Sequence, residues 1–154
     1  MKYKNTLLVA QNIEKSVLFY KTVLGLRVKS NYGENVVLTG GISLQSKNSF
    51  EKFIPKEDFK ITLGGNDSEI YFEENNFEAF LKKLELLPIN YVHPPLEHAW
   101  GQRVVRFYDP DMHIIEVGET LKDVCKRFIK KGLTVEEVSK KTGIPVKNCK
   151  KWCK

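Results

Sequence analysis

The sequence predicts an α+β fold in which a β-α-β-β-β unit occurs twice and is followed by short C-terminal helices. Two helices are expected to begin at corresponding points of the two halves, at Asn12-Ile13-Glu14 and at Asn76-Phe77-Glu78. Asparagine is favoured at helix N-caps, and an apolar stripe at helical spacing follows each of these residues. Each helix has one strand-like segment before it and three after it. We therefore expect one domain with an internal duplication, its modules at about 3–46 and 67–118.

The first module begins with a predicted strand over 3–10. The helix from Ile13 is expected to end at Gly25, because glycine is favoured just after a helix. Short β-branched segments then predict three strands, broken at Gly33 and at Gly40-Gly41; they are 26–30, 35–39 and 42–45. Residues 46–66 are polar and irregular, and we expect a linker with one helical turn around 49–53.

The second module closes with a predicted strand, turn and strand over 100–118. Here β-branched and aromatic residues flank Asp109-Pro110-Asp111, which is turn chemistry. The module's earlier elements are a strand over 69–73, the helix after Asn76, a short strand over 90–92 and a rigid His93-Pro94-Pro95 connection. With residues 109–112 as the loop, alternation predicts one shared face of the hairpin. That face holds Arg103, Val105, Phe107, Ile114 and Glu116.

Glu116 is a lone carboxylate in the middle of an apolar strand. Burying an unpaired charge is costly, so this group needs a cation, a proton or water. Arg103, on the same predicted face, is the expected structural partner. A bound metal ion is the alternative, and it would make Glu116 part of a functional site.

Two segments together resemble the glyoxalase/bleomycin-resistance/dioxygenase, or vicinal oxygen chelate, superfamily. They are IEKSVLFYKTVLGLRV after the first strand and FYDPDMHIIEVGE at the end of the second module. The resemblance covers about residues 3–119. It implies that the two sheets curl into a half-barrel cleft, often completed in a homodimer. It also implies a small-molecule ligand and, in the enzymes, a divalent metal that chelates adjacent oxygens of the substrate.

The superfamily's metal ligands are carried over position by position. Glu116 matches the last carboxylate ligand, while Asn5 and Glu69 stand where histidine is usual, and Gln45 is a possible fourth ligand. The resemblance thus implies a divalent ion, with Mn²⁺, Mg²⁺, Ni²⁺ or Zn²⁺ as candidates. An all-oxygen set suits Mg²⁺, Mn²⁺ or Ca²⁺ rather than the metals that imidazole prefers. Met112 replaces the usual turn glycine, so we expect no positive φ there.

The remaining site residues are expected to line the cleft. We predict Glu116 and His98 as catalytic groups that move a proton, since histidine titrates near neutral pH. The substrate-binding candidates are Trp100, Arg103, Phe107 and Tyr71. Three functions stay open: a metal-dependent lyase, isomerase or dioxygenase, a non-catalytic binding protein of the antibiotic-sequestering type, and a regulatory protein that binds nucleic acid.

The C-terminal 36 residues differ from the rest in charge. Residues 1–118 hold 14 Lys/Arg and 15 Asp/Glu, whereas residues 119–154 hold 11 and 4, which predicts a separate basic helical extension. GLTVEEVSKKTGIPVKNCKKWC is similar to a helix-turn-helix. Nucleic-acid binding through the lysines is one interpretation of this tail. The other is that its apolar residues dock it on the main domain or on a second subunit; these are Leu121, Phe128, Leu133, Val138, Ile144 and Trp152.

Three cysteines near the C-terminus, Cys125, Cys149 and Cys153, are expected to be reduced thiols. No apolar run has the length of a membrane span, and no secretory signal is recognisable at the start. The sequence therefore predicts a cytoplasmic protein that does not interact with membranes.

Overall fold

The computed structural model describes residues 1–57 and 59–153. The chain divides into two compact units, which we call the first and second units. The first comprises Met1–Ser68 and Tyr108–Ile114, and the second comprises Glu69–Phe107 and Ile115–Lys154. Each unit contains a four-stranded sheet, and neither strand order closes into a barrel. The predicted α+β class and the repeated β-α-β-β-β order are confirmed, whereas the cleft between the sheets and the homodimer stay predictions.

In the first unit, the strands are arranged in the order β1-β4-β3-β2, with β1 parallel to β4 and antiparallel pairing elsewhere. The predicted helix is present: the Asn12 side chain accepts the N–H of Lys15, and Gly25 ends the helix in a left-handed conformation. The expected linker contains a two-turn helix, longer than the single turn predicted. The elements are β1 (Thr6–Ala10), α1 (Ile13–Leu24), β2 (Val28–Asn31), β3 (Asn35–Leu38), β4 (Ile42–Ser46) and α2 (Lys47–Phe53).

In the second unit, the strand order is β5-β8-β7-β6. The Asn76 side chain accepts the N–H of Ala79 and caps α3 as predicted. The His93-Pro94-Pro95 segment lies inside β6 rather than in a connection, because an edge strand tolerates prolines that cannot donate to a ladder. The elements of this unit's sheet and its helix are β5 (Glu69–Glu74), α3 (Phe77–Glu85), β6 (Asn90–Glu97), β7 (Arg103–Tyr108) and β8 (Ile114–Glu119).

The turn between β7 and β8 is one residue shorter than predicted. Asp109 N–H donates to the carbonyl of His113 over 3.0 Å, so these residues lie opposite each other across a loop of Pro110, Asp111 and Met112. Met112 has φ +68°, which makes the expectation of no positive φ wrong. A three-residue hairpin loop of this kind needs a left-handed residue after its type I turn, whether or not glycine supplies it.

This shift in register places the side chains of β7 on the opposite face relative to those of β8, because side chains alternate with a period of two. Arg106, rather than Arg103, lies beside Glu116, and Arg103 lies beside Glu119 instead. Phe107 is fully buried against Phe80 of α3, with ring centroids 6.4 Å apart. The prediction that Arg103 and Phe107 share a face with Glu116 is therefore wrong.

Three helices follow β8: α4 (Leu121–Lys130), α5 (Val135–Thr142) and α6 (Val146–Trp152). They share a buried cluster of Val124, Cys125, Phe128, Val138, Ile144 and Cys149, with Leu133 and Trp152 packed against it. Most of the apolar residues expected to dock the tail elsewhere thus pack on one another; Leu121 stays partly exposed. The boundary at 118/119 stays a prediction, since these helices belong to the same compact unit as β5–β8. No helix among the described residues is long and apolar enough to cross a membrane.

Candidate functional site

The Asp-Pro-Asp turn is a structural anchor of the first unit. Asp109 accepts the backbone N–H groups of Asp111 and His113, the hydroxyl of Tyr20 at 2.8 Å and the ring Nδ1 of His113 at 2.9 Å. Asp111 accepts from the backbone of Gln11 and from Ser16, each at 2.8 Å. Both carboxylates are buried, and these bonds hold the hairpin turn against the start and the middle of α1.

This anchor also sets the charge of His113. Burial alone would lower the pKa of His113, but the hydrogen bond and negative charge of Asp109 outweigh burial and raise that pKa above its usual range. Burial and the neighbouring Asp109 together raise the pKa of the Tyr20 phenol. Tyr20 therefore stays a neutral donor, and this end of the motif serves the fold.

In the second unit, the Arg106 guanidinium lies between two carboxylates. It donates to both oxygens of Glu69, over 2.7 and 3.4 Å, and forms an ion pair with Glu116. A further N–H donates to Nε2 of His93 at 3.1 Å. The Glu116 side chain is only 8% exposed, while that of Arg106 is 23% exposed. The two predicted metal carboxylates are thus bridged by a cation that the chain itself supplies.

Glu119 forms a second charged cluster, which the sequence pattern did not predict. Its buried carboxylate accepts two bonds from Arg103, over 3.1 and 3.2 Å, and two from Arg127 of α4, over 3.0 and 3.1 Å. Burial would raise the pKa of Glu119, but the hydrogen bonds and charges of the two arginines lower it below the usual range. Arg103 also pairs with Glu78 of α3. Arg103 therefore stabilises the packing of helices on the sheet.

An aromatic platform, which we define as Tyr71, His98 and Trp100, lies in the second unit. The rings of His98 and Trp100 are stacked, 4.1 Å apart and 18° from parallel. The buried Gln102 amide joins the platform, because its oxygen accepts from the Trp100 indole and its nitrogen donates to the Tyr71 hydroxyl at 2.8 Å. Trp100 and Tyr71 remain 43% and 45% exposed. Such a surface presents two aromatic rings to a ligand.

His98 is held in its neutral form. Burial lowers its pKa, and the positive charge of Arg106 lowers it further. Its backbone closes the turn that presents Trp100, since His98 N–H donates to the Gln102 carbonyl at 2.9 Å. A neutral imidazole can accept a proton, although the described contacts of His98 are stacking and turn formation.

Asn5 and Gln45, the other candidate ligands, belong to the first unit and already have side-chain partners. The Gln45 amide is buried, donates to the Ser49 hydroxyl at 3.0 Å and accepts from Asn35 at 3.4 Å. The Asn5 amide donates to the Ser43 hydroxyl. The first-unit ligands are therefore amides within hydrogen-bonded networks of the sheet.

The residues do not fit a resident metal ion as the resemblance implied. An ion between Glu69 and Glu116 would have to displace the Arg106 guanidinium, and both ends of the Gln45 amide are occupied. Within residues 1–57 and 59–153, no group of three or more His, Cys, Asp or Glu side chains has a metal-binding arrangement. The convergence of Asn5, Glu69 and Glu116 on one ion stays a prediction.

Comparison with known proteins identifies the family. Residues 3–122 match the family model of the glyoxalase-like domain. The chain belongs to the glyoxalase-like family. This match ends inside α4, so α5 and α6 of this glyoxalase-like protein lie outside it. No curated protein matches the chain.

Several solved structures resemble this glyoxalase-like chain. A protein of unknown function from Agrobacterium tumefaciens str. C58 is 34% identical, with a TM-score of 0.71 over 79% of this chain and 95% of that one. A glyoxalase/bleomycin resistance protein/dioxygenase from Nocardioides is 20% identical, with a TM-score of 0.65 over 79% and 84%. A lactoylglutathione lyase from Agrobacterium tumefaciens is 21% identical, with a TM-score of 0.59 over 75% and 90%. The last two, at this identity, show the shared fold alone.

Proposed function

We propose that this chain binds a small planar, positively charged molecule on the sheet of its second unit, without a metal ion. The observation that carries this proposal is the position of Arg106, which bridges Glu69 and Glu116 by hydrogen bonds and an ion pair. Its guanidinium occupies the position between the two carboxylates on which the metal-dependent alternative depends. Binding then relies on side chains that remain available, and these are the aromatic platform and the carboxylate next to it.

The planarity of the proposed ligand follows from the platform. Exposed aromatic rings stack on flat molecules, and stacking is worth roughly 1–3 kcal/mol for each aromatic side chain in nucleobase recognition. The stacked His98 ring and the hydrogen bond from the Trp100 indole to Gln102 fix the orientation of Trp100. Tyr71 is fixed by Gln102 in the same way. A pre-oriented pair of rings loses little conformational entropy when a ligand binds.

The positive charge of the ligand follows from the carboxylates. Glu73 is exposed and accepts from the Tyr71 hydroxyl at 3.2 Å, so a negative charge lies at the edge of the platform. Near the platform, the single positive charge of Arg106 pairs with the two negative charges of Glu69 and Glu116. These carboxylates favour a cationic ligand, and a cation over an aromatic face gains cation–π attraction as well.

Titration of chelator-treated protein with planar dyes tests this proposal. We expect proflavine, a planar cation, to bind and to quench tryptophan fluorescence, whereas anthraquinone-2-sulfonate, a planar anion, binds much more weakly. Trp100→Ala and Tyr71→Ala should each weaken proflavine binding about tenfold or more. Tyr32→Ala, which removes an exposed tyrosine of the first unit, is the matched control and should leave the affinity unchanged.

Equal binding of the cation and the anion would contradict the charge assignment. Loss of proflavine affinity in Tyr32→Ala to the same extent as in Trp100→Ala would contradict the location. A requirement for added Mn²⁺ or Ni²⁺ would favour the metal-dependent enzyme instead, with Glu116 as ligand and His98 as the group that moves the proton.

A further inference from the structure

The helices α4–α6 form a compact basic subdomain with a hydrophobic core of their own. Val138 of α5, Ile144 of the turn and Cys149 of α6 are buried together with Val124 and Cys125 of α4. Thr134 and Glu137 form a capping box at the start of α5, which satisfies two backbone donors. The apolar side chains are thus used inside the subdomain, and its polar surface is free to serve another purpose.

The α5–turn–α6 arrangement has the dimensions of a helix-turn-helix. Three residues, Gly143 to Pro145, separate the two helices, and Gly143 has φ +72°. The buried Ile144 anchors this turn in the core. Helix pairs joined by a three- or four-residue turn that contains glycine are common in DNA-binding proteins. Compact helix pairs that do not bind DNA also show this pattern. DNA binding by this subdomain is therefore inferred from its surface charge.

The lysines of the subdomain are arranged in rows. Lys122, Lys126 and Lys130 are four residues apart along α4, and Lys147 and Lys151 are four apart on α6. Residues four apart lie on the same face of a helix, and like charges at this spacing destabilise it. All five are exposed. The subdomain therefore carries a repulsion that a polyanion would relieve.

The acidic side chains of the subdomain neutralise little of the positive charge of these lysines. Asp123 is engaged by the Thr120 hydroxyl at the start of α4, and Glu137 is engaged in its capping box. Among the described residues of 119–153, the ion pair of Lys150 with Glu136, at 3.4 Å between exposed side chains, is the only one formed by a lysine. Nine exposed lysines thus face three carboxylates in residues 120–153.

We propose that α4–α6 bind double-stranded DNA through its phosphates. Duplex DNA presents one negative charge per about 1.7 Å of helix axis, so rows of lysines several ångströms apart can each contact a phosphate. Residues 128–154 contain no arginine, which is the usual reader of guanine edges. We expect the lysines to contact mainly the phosphate backbone, so that binding depends little on sequence. The proposal does not depend on the ligand site of the second unit.

Fluorescence anisotropy with the full chain and a short labelled duplex tests this proposal at two salt concentrations. With about six lysines contacting phosphates, affinity should fall about a thousandfold between 50 and 200 mM salt. Replacement of Lys122, Lys126 and Lys130 by glutamine should weaken binding about tenfold or more at the lower salt. The same replacement should reduce the slope of log affinity against log salt by about three units.

The matched control replaces Lys15, Lys29 and Lys60, three exposed lysines of the first unit, by glutamine. It changes the net charge equally and should leave DNA binding nearly unchanged. Thermal melting verifies that both variants remain folded, which we expect because all six lysines are exposed. The proposal is overturned by absence of duplex binding at low salt, or by an equal loss in the two triple variants. Binding to vesicles that contain phosphatidylserine, without binding to the duplex, also overturns it.

Discussion

Removal of the Arg106 guanidinium should strand a negative charge in the sheet of the second unit. Arg106→Met keeps an unbranched side chain and leaves Glu116, only 8% exposed, without its cation. Loss of one partner from a buried ion pair costs about 3–5 kcal/mol. Because the Arg106 and Glu69 side chains are 23% and 38% exposed, water screens part of this penalty. We expect a loss of about 2–3 kcal/mol in the free energy of unfolding, measured with urea at neutral pH.

The double variant Arg106→Met/Glu116→Gln should recover more than half of that loss, because the neutral amide no longer buries an uncompensated charge. Acidification should also reduce the difference in the free energy of unfolding between Arg106→Met and the wild type. Protonation of the Glu116 carboxylate removes the cost of burying its unpaired charge. Arg27→Met, at an exposed arginine of the first unit, is the control and should change stability by less than about 0.5 kcal/mol. An Arg106→Met variant as stable as Arg27→Met would refute the assigned role of Arg106.

Three further predictions concern the turn, the helical subdomain and the response to acid. Met112→Gly should raise the free energy of unfolding by about 0.5–1 kcal/mol in urea titrations, because φ +68° is strained for any residue with a Cβ, whereas Met112→Ala should give no such gain. Gly101→Ala should lower the free energy of unfolding by about 2–4 kcal/mol in the same assay, since Gly101 has φ +90° and the new Cβ would lie 2.4 Å from the Phe128 ring. A loss below about 0.5 kcal/mol would contradict that packing. The pKa of Glu119 is lowered in the folded state, so its ionised carboxylate stabilises the fold above its pKa in the unfolded chain, and this contribution is lost as the pH falls below about 4. Glu119→Gln should therefore make the free energy of unfolding depend less on pH in this range.

The sequence was sufficient to predict the repeated unit because its signals are local. Asn12 and Asn76 cap their helices through their own side chains, and Gly25 ends α1 through its own φ. Because consecutive strands alternate in direction after α1, the pairing of β1 with β4 in the first sheet is parallel. Features of this kind depend on a few neighbouring residues and can be recognised from the local sequence.

The site was harder to predict because it depends on register. A loop of three residues rather than four places the side chains of β7 on the opposite face relative to those of β8, and it exchanges Arg106 for Arg103 as the partner of Glu116. The residue type at position 112 does not indicate the shorter loop, since Met112 adopts a conformation that glycine usually supplies. The Asp109 side chain, which accepts two backbone N–H groups of the turn, stabilises the tighter loop.

The partner of Glu119 was also beyond sequence analysis. Arg127 lies eight residues later on α4, and its contact with Glu119 depends on how that helix packs against the sheet. The same holds for the buried cluster of the three C-terminal helices, since each helix alone would equally suit docking on another surface. Contacts between different elements of the chain can be identified only once the packing of those elements is known.

The competition between Arg106 and a metal ion for the two carboxylates is tested most directly by metal titration. Mn²⁺ is added to chelator-treated wild type, Glu116→Gln and Arg106→Met, and bound ion is measured by electron paramagnetic resonance. The Arg106 bridge predicts that the wild type binds no stoichiometric ion at millimolar Mn²⁺, while Arg106→Met, with its carboxylates released, binds Mn²⁺ more tightly than the wild type. One tightly bound ion per wild-type chain, lost in Glu116→Gln, would contradict the bridge and restore the metal-dependent interpretation.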